Sequence, residues 1–191
     1  MNKLECIIAA KLTLEGKNTV ILDTETTGLY NCEIVQIAII DLSGKTLLNT
    51  LVKPTRAIEP GAAAIHGITE ETVKNAPSFK DIYEQVKSII TNKTVLIYNA
   101  DFDTKVLNFC CDVYALPWLQ FDKLCVMHLY SEFVGEWNDY YQTNKWQKLP
   151  GGDHTALGDC LATLKVIKFI TNSPVDETEL ETMKEEYSIP F

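Results

Sequence analysis

The sequence predicts an α/β domain: a mixed central sheet, opened by an antiparallel three-strand unit and covered by helices. Two observations predict it. Three short apolar runs come early in the chain, and the second and third are joined by the turn-rich Ser43-Gly44-Lys45, a hairpin-type connection. After residue 78, helical-period and strand-like segments alternate, the pattern of a sheet with helices on its faces.

Leu4, Ile7, Ile8 and Leu12 have helical spacing, so residues 1–17 read as a helical extension. Val20 to Asp23 predicts the first core strand, Ile34 to Leu42 the second and Thr46 to Lys53 the third. Pro54 and Pro60-Gly61 predict a loop. Phe79, Ile82, Tyr83, Val86 and Ile89 mark an amphipathic helix that Ser78 starts. Thr94 to Tyr98 predicts a strand, and Phe102, Val106, Phe109, Cys110 and Val113 the helix after it. A strand near Trp118 to Phe121 and a helix around Leu124 to Phe133 follow. Trp137 to Gly152 is aromatic, polar and loop-like, and Leu157, Cys160, Leu161, Leu164 and Ile167 define the last helix. There is no repeat and no linker before residue 173, so the division is one domain over 1–173 and an acidic tail over 174–191.

Composition bounds the function. The chain has 191 residues, 46% hydrophobic and 23% charged, the balance of a globular domain. No apolar run has membrane-spanning length, and the first residues lack the pattern of a secretory signal, which predicts a cytoplasmic protein with no membrane partner. The six cysteines lack C-x-x-C spacing and read as buried thiols. The net charge of −9 counts against a nucleic-acid partner at first sight. However, the tail carries six acidic residues against one lysine, five of the nine net negative charges. The rest is only mildly acidic, and carboxylates that bind cations have their charge cancelled there.

The most informative segment is Asp23-Thr24-Glu25-Thr26-Thr27-Gly28, directly after Val20-Ile21-Leu22. Residues i and i+2 of a strand share a face, so Asp23 and Glu25 project together. Two carboxylates so close repel unless a cation lies between them, and oxygen ligands suit a hard divalent ion. Tyr98-Asn99-Ala100-Asp101-Phe102-Asp103 falls at a strand-to-helix junction, the usual place for functional residues in α/β sheets. Asp101 reads there as a helix cap; Asp103 either complements the helix dipole or joins the acidic pair. His154-Thr155-Ala156-Leu157-Gly158-Asp159 opens the last helix. Five residues on a regular helix are about 140° apart. His154 and Asp159 therefore meet only if His154 precedes the helix, which Gly151-Gly152 permits. Otherwise Asp159 pairs with a lysine such as Lys123 or Lys165.

In this order the motifs Asp-Thr-Glu-Thr-Thr-Gly, Asn-Ala-Asp-Phe-Asp and His-Thr-Ala-Leu-Gly-Asp resemble the DEDDh (DnaQ-like) exonuclease superfamily, which includes the proofreading epsilon subunit of bacterial DNA polymerase III. The resemblance covers residues 18 to 172 and extends to Ile65-His66-Gly67-Ile68-Thr69. It implies a ribonuclease H-like fold and a 3′–5′ exonuclease holding two Mg²⁺ or Mn²⁺ ions. Asp23, Glu25, Asp103 and Asp159 would be the metal-binding carboxylates and His154 the general base. It further implies that Thr24, Thr26, Leu29, Ile65, His66 and Phe102 grip the terminal nucleotide. The partner would be nucleic acid with a free 3′ end, single-stranded DNA in preference to RNA. A 3′ exoribonuclease and a non-catalytic nucleic-acid-binding module are the alternatives. Relatives often carry His at the position of Tyr98 and Glu at that of Gln36.

Trp137, Tyr140, Tyr141 and Trp146 either stack unpaired bases or form a hydrophobic contact. The tail ends in Ile189-Pro190-Phe191. It reads as a solubilising terminus, or alternatively as a tip resembling that of bacterial single-stranded-DNA-binding proteins, which docks on a protein partner.

Overall fold

Strand β1 (Thr19–Thr26) lies at the centre of the sheet in the computed structural model, which describes residues 1–16 and 18–174. Residues 175–191, including the Ile189-Pro190-Phe191 tip, lie outside the described residues. Strands β2 (Ile34–Asp41) and β3 (Thr46–Leu51) extend the sheet antiparallel on one side of β1. Strands β4 (Thr94–Ile97) and β5 (Asp122–Cys125) extend it parallel on the other, giving the order β3-β2-β1-β4-β5. This is the mixed sheet expected, and its hand-over from hairpin to parallel strands occurs at β1.

Alternation along β1 decides what faces what. Val20 and Leu22 point into a core closed by α4 (Phe79–Ile90) and α5 (Ala100–Val113). Ile21 points into a second core closed by α1 (Lys3–Glu15), α6 (Val126–Val134) and α7 (Ala156–Thr171). Cys160 of α7 lies with its Sγ 3.5 Å from the Ala38 carbonyl oxygen and 3.7 Å from that of Ile21. A side chain that small lets the helix settle close against β1 and β2, which fixes the first turn of α7 over the strand end.

Several local expectations shift. Pro60-Gly61 does not continue a loop: it starts α2 (Pro60–His66), where the missing proline N–H costs nothing at a helix N-terminus. A single turn, α3 (Glu70–Val73), follows. The strand expected near Trp118 lies at Asp122–Cys125, set by its parallel register with β4. Asp101 is not the cap of α5; Asn99 holds that position, and Asp101 pairs with Lys123 at 2.7 Å. The buried face of α5 is also rotated from the expected stripe. Asp103, Val106, Leu107, Cys110 and Cys111 face inward, leaving Phe102 and Phe109 half-buried. The loop before α7 contains one short hairpin, β6 (Trp137–Asn138) with β7 (Thr143–Asn144).

Candidate active site

Asp23 and Glu25 sit at the C-terminal half of β1, on the face that α7 covers. Asp159 enters from the first turn of α7. The three carboxylates bring ligand oxygens within 4.8 Å of one another. Asp103 reaches the same strand end from α5, on the opposite side of β1. There the Thr24 hydroxyl donates to its Oδ1 at 2.7 Å, and Asp103 is only 4% exposed. The four acidic positions therefore converge on one strand end, three as a direct cluster and the fourth anchored beside it.

The clustering has an electrostatic cost. Burial, then the Asp103, Asp159 and Glu25 carboxylates, hold Asp23 well above the ordinary carboxylate range. Burial, then Asp159, Asp103 and Asp153, push Glu25 up to about 8. Burial pushes Asp103 up to about 7, against the pull of the Thr24 hydrogen bond. Positive charge among these groups would relieve all three. The cluster offers only oxygen donors, which fit a hard divalent ion and disfavour zinc.

The α7 N-terminus is assembled to present Asp159 and His154 together. His154 lies before the N-cap Thr155, with a left-handed backbone at φ 60°. The N–H groups of Asp153 and His154 donate to Asp159 Oδ1 at 2.9 and 3.3 Å. Asp153 in turn accepts from the Thr155 N–H and hydroxyl at 3.0 and 2.8 Å. Gly158 leaves the space that the Asp153 carboxylate occupies; a Cβ there would collide with it. His154 itself is exposed.

The residues expected at the terminal nucleotide separate into groups. Leu29 and Phe102 line one open groove of about 710 Å³. His66 and Thr26 form a pair: the His66 Nδ1 accepts from the Ile68 N–H at 3.0 Å, so its Nε2 carries the hydrogen donated to the Thr26 carbonyl at 3.1 Å. Ile65 is exposed on α2. Thr24 and Thr26 are buried, and their hydroxyls turn inward, to Asp103 and to the Gly28 carbonyl.

Two supporting groups lie outside the residues expected at the site. Glu33, buried, accepts from the Thr55 N–H and hydroxyl at 3.0 and 2.7 Å and pins the loop after β1. Gln36, opposite Glu25 in the β1–β2 ladder, accepts the Ala156 N–H at 3.1 Å and so holds the first residue of α7. Period-two alternation puts Gln36 on the site face, the one signal that could have found it.

Fold and site together define a nucleic-acid hydrolase of the ribonuclease H-like type. Residues 20–167 match the RNase_T family, described as exonucleases, and the chain belongs to this group of DEDDh, DnaQ-like exonucleases. An uncharacterized exonuclease of Escherichia phage 186 is 42% identical over 176 residues, 83% of this chain and 90% of that one. The DNA polymerase III epsilon subunit of Buchnera aphidicola is 37% identical over 100 residues, 47% of this chain and 43% of its own length. The solved structure of Exonuclease X in complex with 5′ overhanging duplex DNA superposes with a TM-score of 0.56 at 30% identity, covering 85% of this chain and 98% of that one. The protein is thus an exonuclease acting on nucleic acid, in a family that uses divalent metal ions. No helix among the described residues is long and apolar enough to cross a membrane.

Proposed function

We propose that the chain is a 3′–5′ exodeoxyribonuclease that releases 5′-mononucleotides from a free 3′ end. The meeting of Asp23, Glu25 and Asp159 within 4.8 Å at the end of the central strand carries this reading. With Asp103 they would hold two Mg²⁺ or Mn²⁺ ions. When bound, such ions supply the positive charge that activates a water and stabilises the leaving 3′-oxyanion. Everything else falls to the chain's own side chains. His154, exposed and joined through its backbone N–H to Asp159, accepts the proton of the attacking water, a contribution of roughly a hundred- to ten-thousand-fold. The carboxylates hold the ions, and Asp159 also fixes the backbone that carries His154. Leu29 and Phe102 on the groove, with Ile65 and His66 on α2, would contact the terminal nucleotide.

DNA as the substrate is supported by the similar protein whose structure holds a DNA duplex. The test is parallel digestion of matched single-stranded DNA, duplex DNA and RNA with Mg²⁺ or Mn²⁺, with a circular single strand beside them. Stepwise 5′-mononucleotide release from linear DNA, with the circle intact, is the expected result. Cutting of the circle, or faster digestion of RNA, would overturn the reading.

A further inference from the structure

The groove that Leu29 and Phe102 line does not stop at them. It continues along α5 past Lys105 and Phe109 to Trp118, and is also lined by His128 and Trp146. Phe102 and Asp112 are ten residues apart on α5, about 15 Å at 1.5 Å per residue. That is the length of about four stacked nucleotides at ~3.4 Å each. The lining carries Lys105 and His128 beside the carboxylates of Asp101 and Asp112, together with the exposed rings of Tyr30, Trp118 and Trp146.

Each end is held in place for contact. Asp112 Oδ1 accepts the Trp118 indole N–H at 2.7 Å, gripping the ring by its edge while it remains 53% exposed. Trp146 is 68% exposed and lies 6.1 Å from the His128 ring. Its neighbour Gln147 is fixed because the Tyr98 hydroxyl donates to the Gln147 carbonyl at 2.9 Å. The Arg56 guanidinium lies 4.9 Å over the Phe109 ring and donates to the Asn31 carbonyl at 2.9 Å, which places its charge beside the groove. Lys123 answers the Asp101 carboxylate. Lys105 makes no close ion pair among the described residues, although its charge is felt by Asp101 one turn earlier on α5.

We propose that this extension binds the unpaired DNA strand leading away from the cleavage centre, with bases stacking on Trp118 and Trp146 and phosphates meeting Lys105 and Arg56. Stacking tolerates any base because every base has a π-face, so the extension confers strand affinity without sequence preference. The inference rests on the proposed exonuclease function and adds a length-dependent grip beyond the terminal nucleotide.

The experiment measures binding of a fluorescent single-stranded oligonucleotide by anisotropy without divalent ions, where no strand is cut. It is run beside Mg²⁺-dependent hydrolysis of a dinucleotide too short to reach Trp118. Trp118→Ala and Trp146→Ala are each expected to weaken oligonucleotide binding roughly 5- to 150-fold. Trp118→Phe, which keeps a stacking face, should stay near wild type. Lys105→Ala should lower the slope of log affinity on log salt by about 0.7. Dinucleotide hydrolysis should be unchanged in all four variants. Unaltered binding in both tryptophan-to-alanine variants, or equal affinity of the wild type for blunt duplex, would overturn the proposal. Failure of the wild type to hydrolyse the dinucleotide would instead count against the exonuclease reading, and leaves the binding measurement to judge the groove.

Discussion

The Thr24 hydroxyl donates to Asp103 Oδ1 across the boundary between β1 and α5, and both residues are buried. A carboxylate brought to a strand end from a separate helix needs such a latch, because burial alone drives it towards the neutral acid. Thr24→Val keeps the shape and removes the donor. It should cost about 1–3 kcal/mol of stability, the penalty for stranding a buried acceptor. It should also raise the Asp103 pKa further and weaken Mg²⁺ binding near neutral pH. Chemical denaturation and a Mg²⁺ titration read both effects, and Thr24→Ser should restore both. Wild-type metal affinity in the valine variant would show that the latch is only structural.

Gln36 acts from the neighbouring strand. Its Oε1 accepts the Ala156 N–H, and the first turn of α7 carries Asp159. Gln36→Leu should cost about 1 kcal/mol, as loss of a helix-start acceptor does. It should lower kcat more than it raises KM, because the shift falls on the reacting groups. Gln36→Glu keeps the acceptor and should retain most of kcat. Steady-state kinetics on a single-stranded oligonucleotide decides between these.

Gly158→Ala opposes two effects. Alanine is the better helix former by about 1 kcal/mol. Its Cβ, however, collides with the Asp153 carboxylate that organises the His154 turn. Overpacking of this kind costs about 1–3 kcal/mol. The variant should therefore melt lower than wild type and turn over slowly, while Mg²⁺ affinity, set mainly by other carboxylates, falls less. A higher melting temperature would mean that Asp153 moves aside freely.

The raised carboxylate pKa values give a pH prediction of definite sign. With Glu25 at about 8 and Asp103 at about 7 when folded, against ordinary values near 4 when unfolded, the unfolded chain loses these protons first as pH rises. The stability they contribute is fully present below about pH 4 and is lost progressively as pH climbs from about 4 to the folded values of about 7 for Asp103 and about 8 for Glu25. Without metal, the melting temperature of wild type relative to Glu25→Gln should fall across that window. Mg²⁺ binding at neutral pH should release protons, since the ligands must ionise. Calorimetry in buffers of different ionisation enthalpy measures the release; none at all would contradict the electrostatics of the cluster.

Local pattern made much of this legible. The β2–β3 hairpin, the shared face of Asp23 and Glu25, and the need for His154 to precede α7 all follow from periodicity and turn chemistry over a few residues. What stayed hidden depends on partners far along the chain. Thr24 meets Asp103 across 79 positions and Ala156 meets Gln36 across 120, so neither bond leaves a local mark. Asp101 read as a cap because it stands near a helix start, but Lys123 on β5 claims it. Phe102 and Phe109 fit a core stripe by spacing, yet α5 buries Asp103, Val106, Leu107, Cys110 and Cys111, and both rings border the groove.

With Asp159 and Asp103, the β1 carboxylates would make a metal-dependent centre that shortens DNA from its 3′ end. The decisive measurement adds Mg²⁺ to enzyme and a 5′-labelled single strand in single-turnover amounts, wild type beside Asp23→Ala. A ladder of progressively shorter labelled strands, present only with wild type and only with the ion, is the predicted result. Immediate release of a labelled 5′ mononucleotide, or an unchanged ladder from Asp23→Ala, would contradict it.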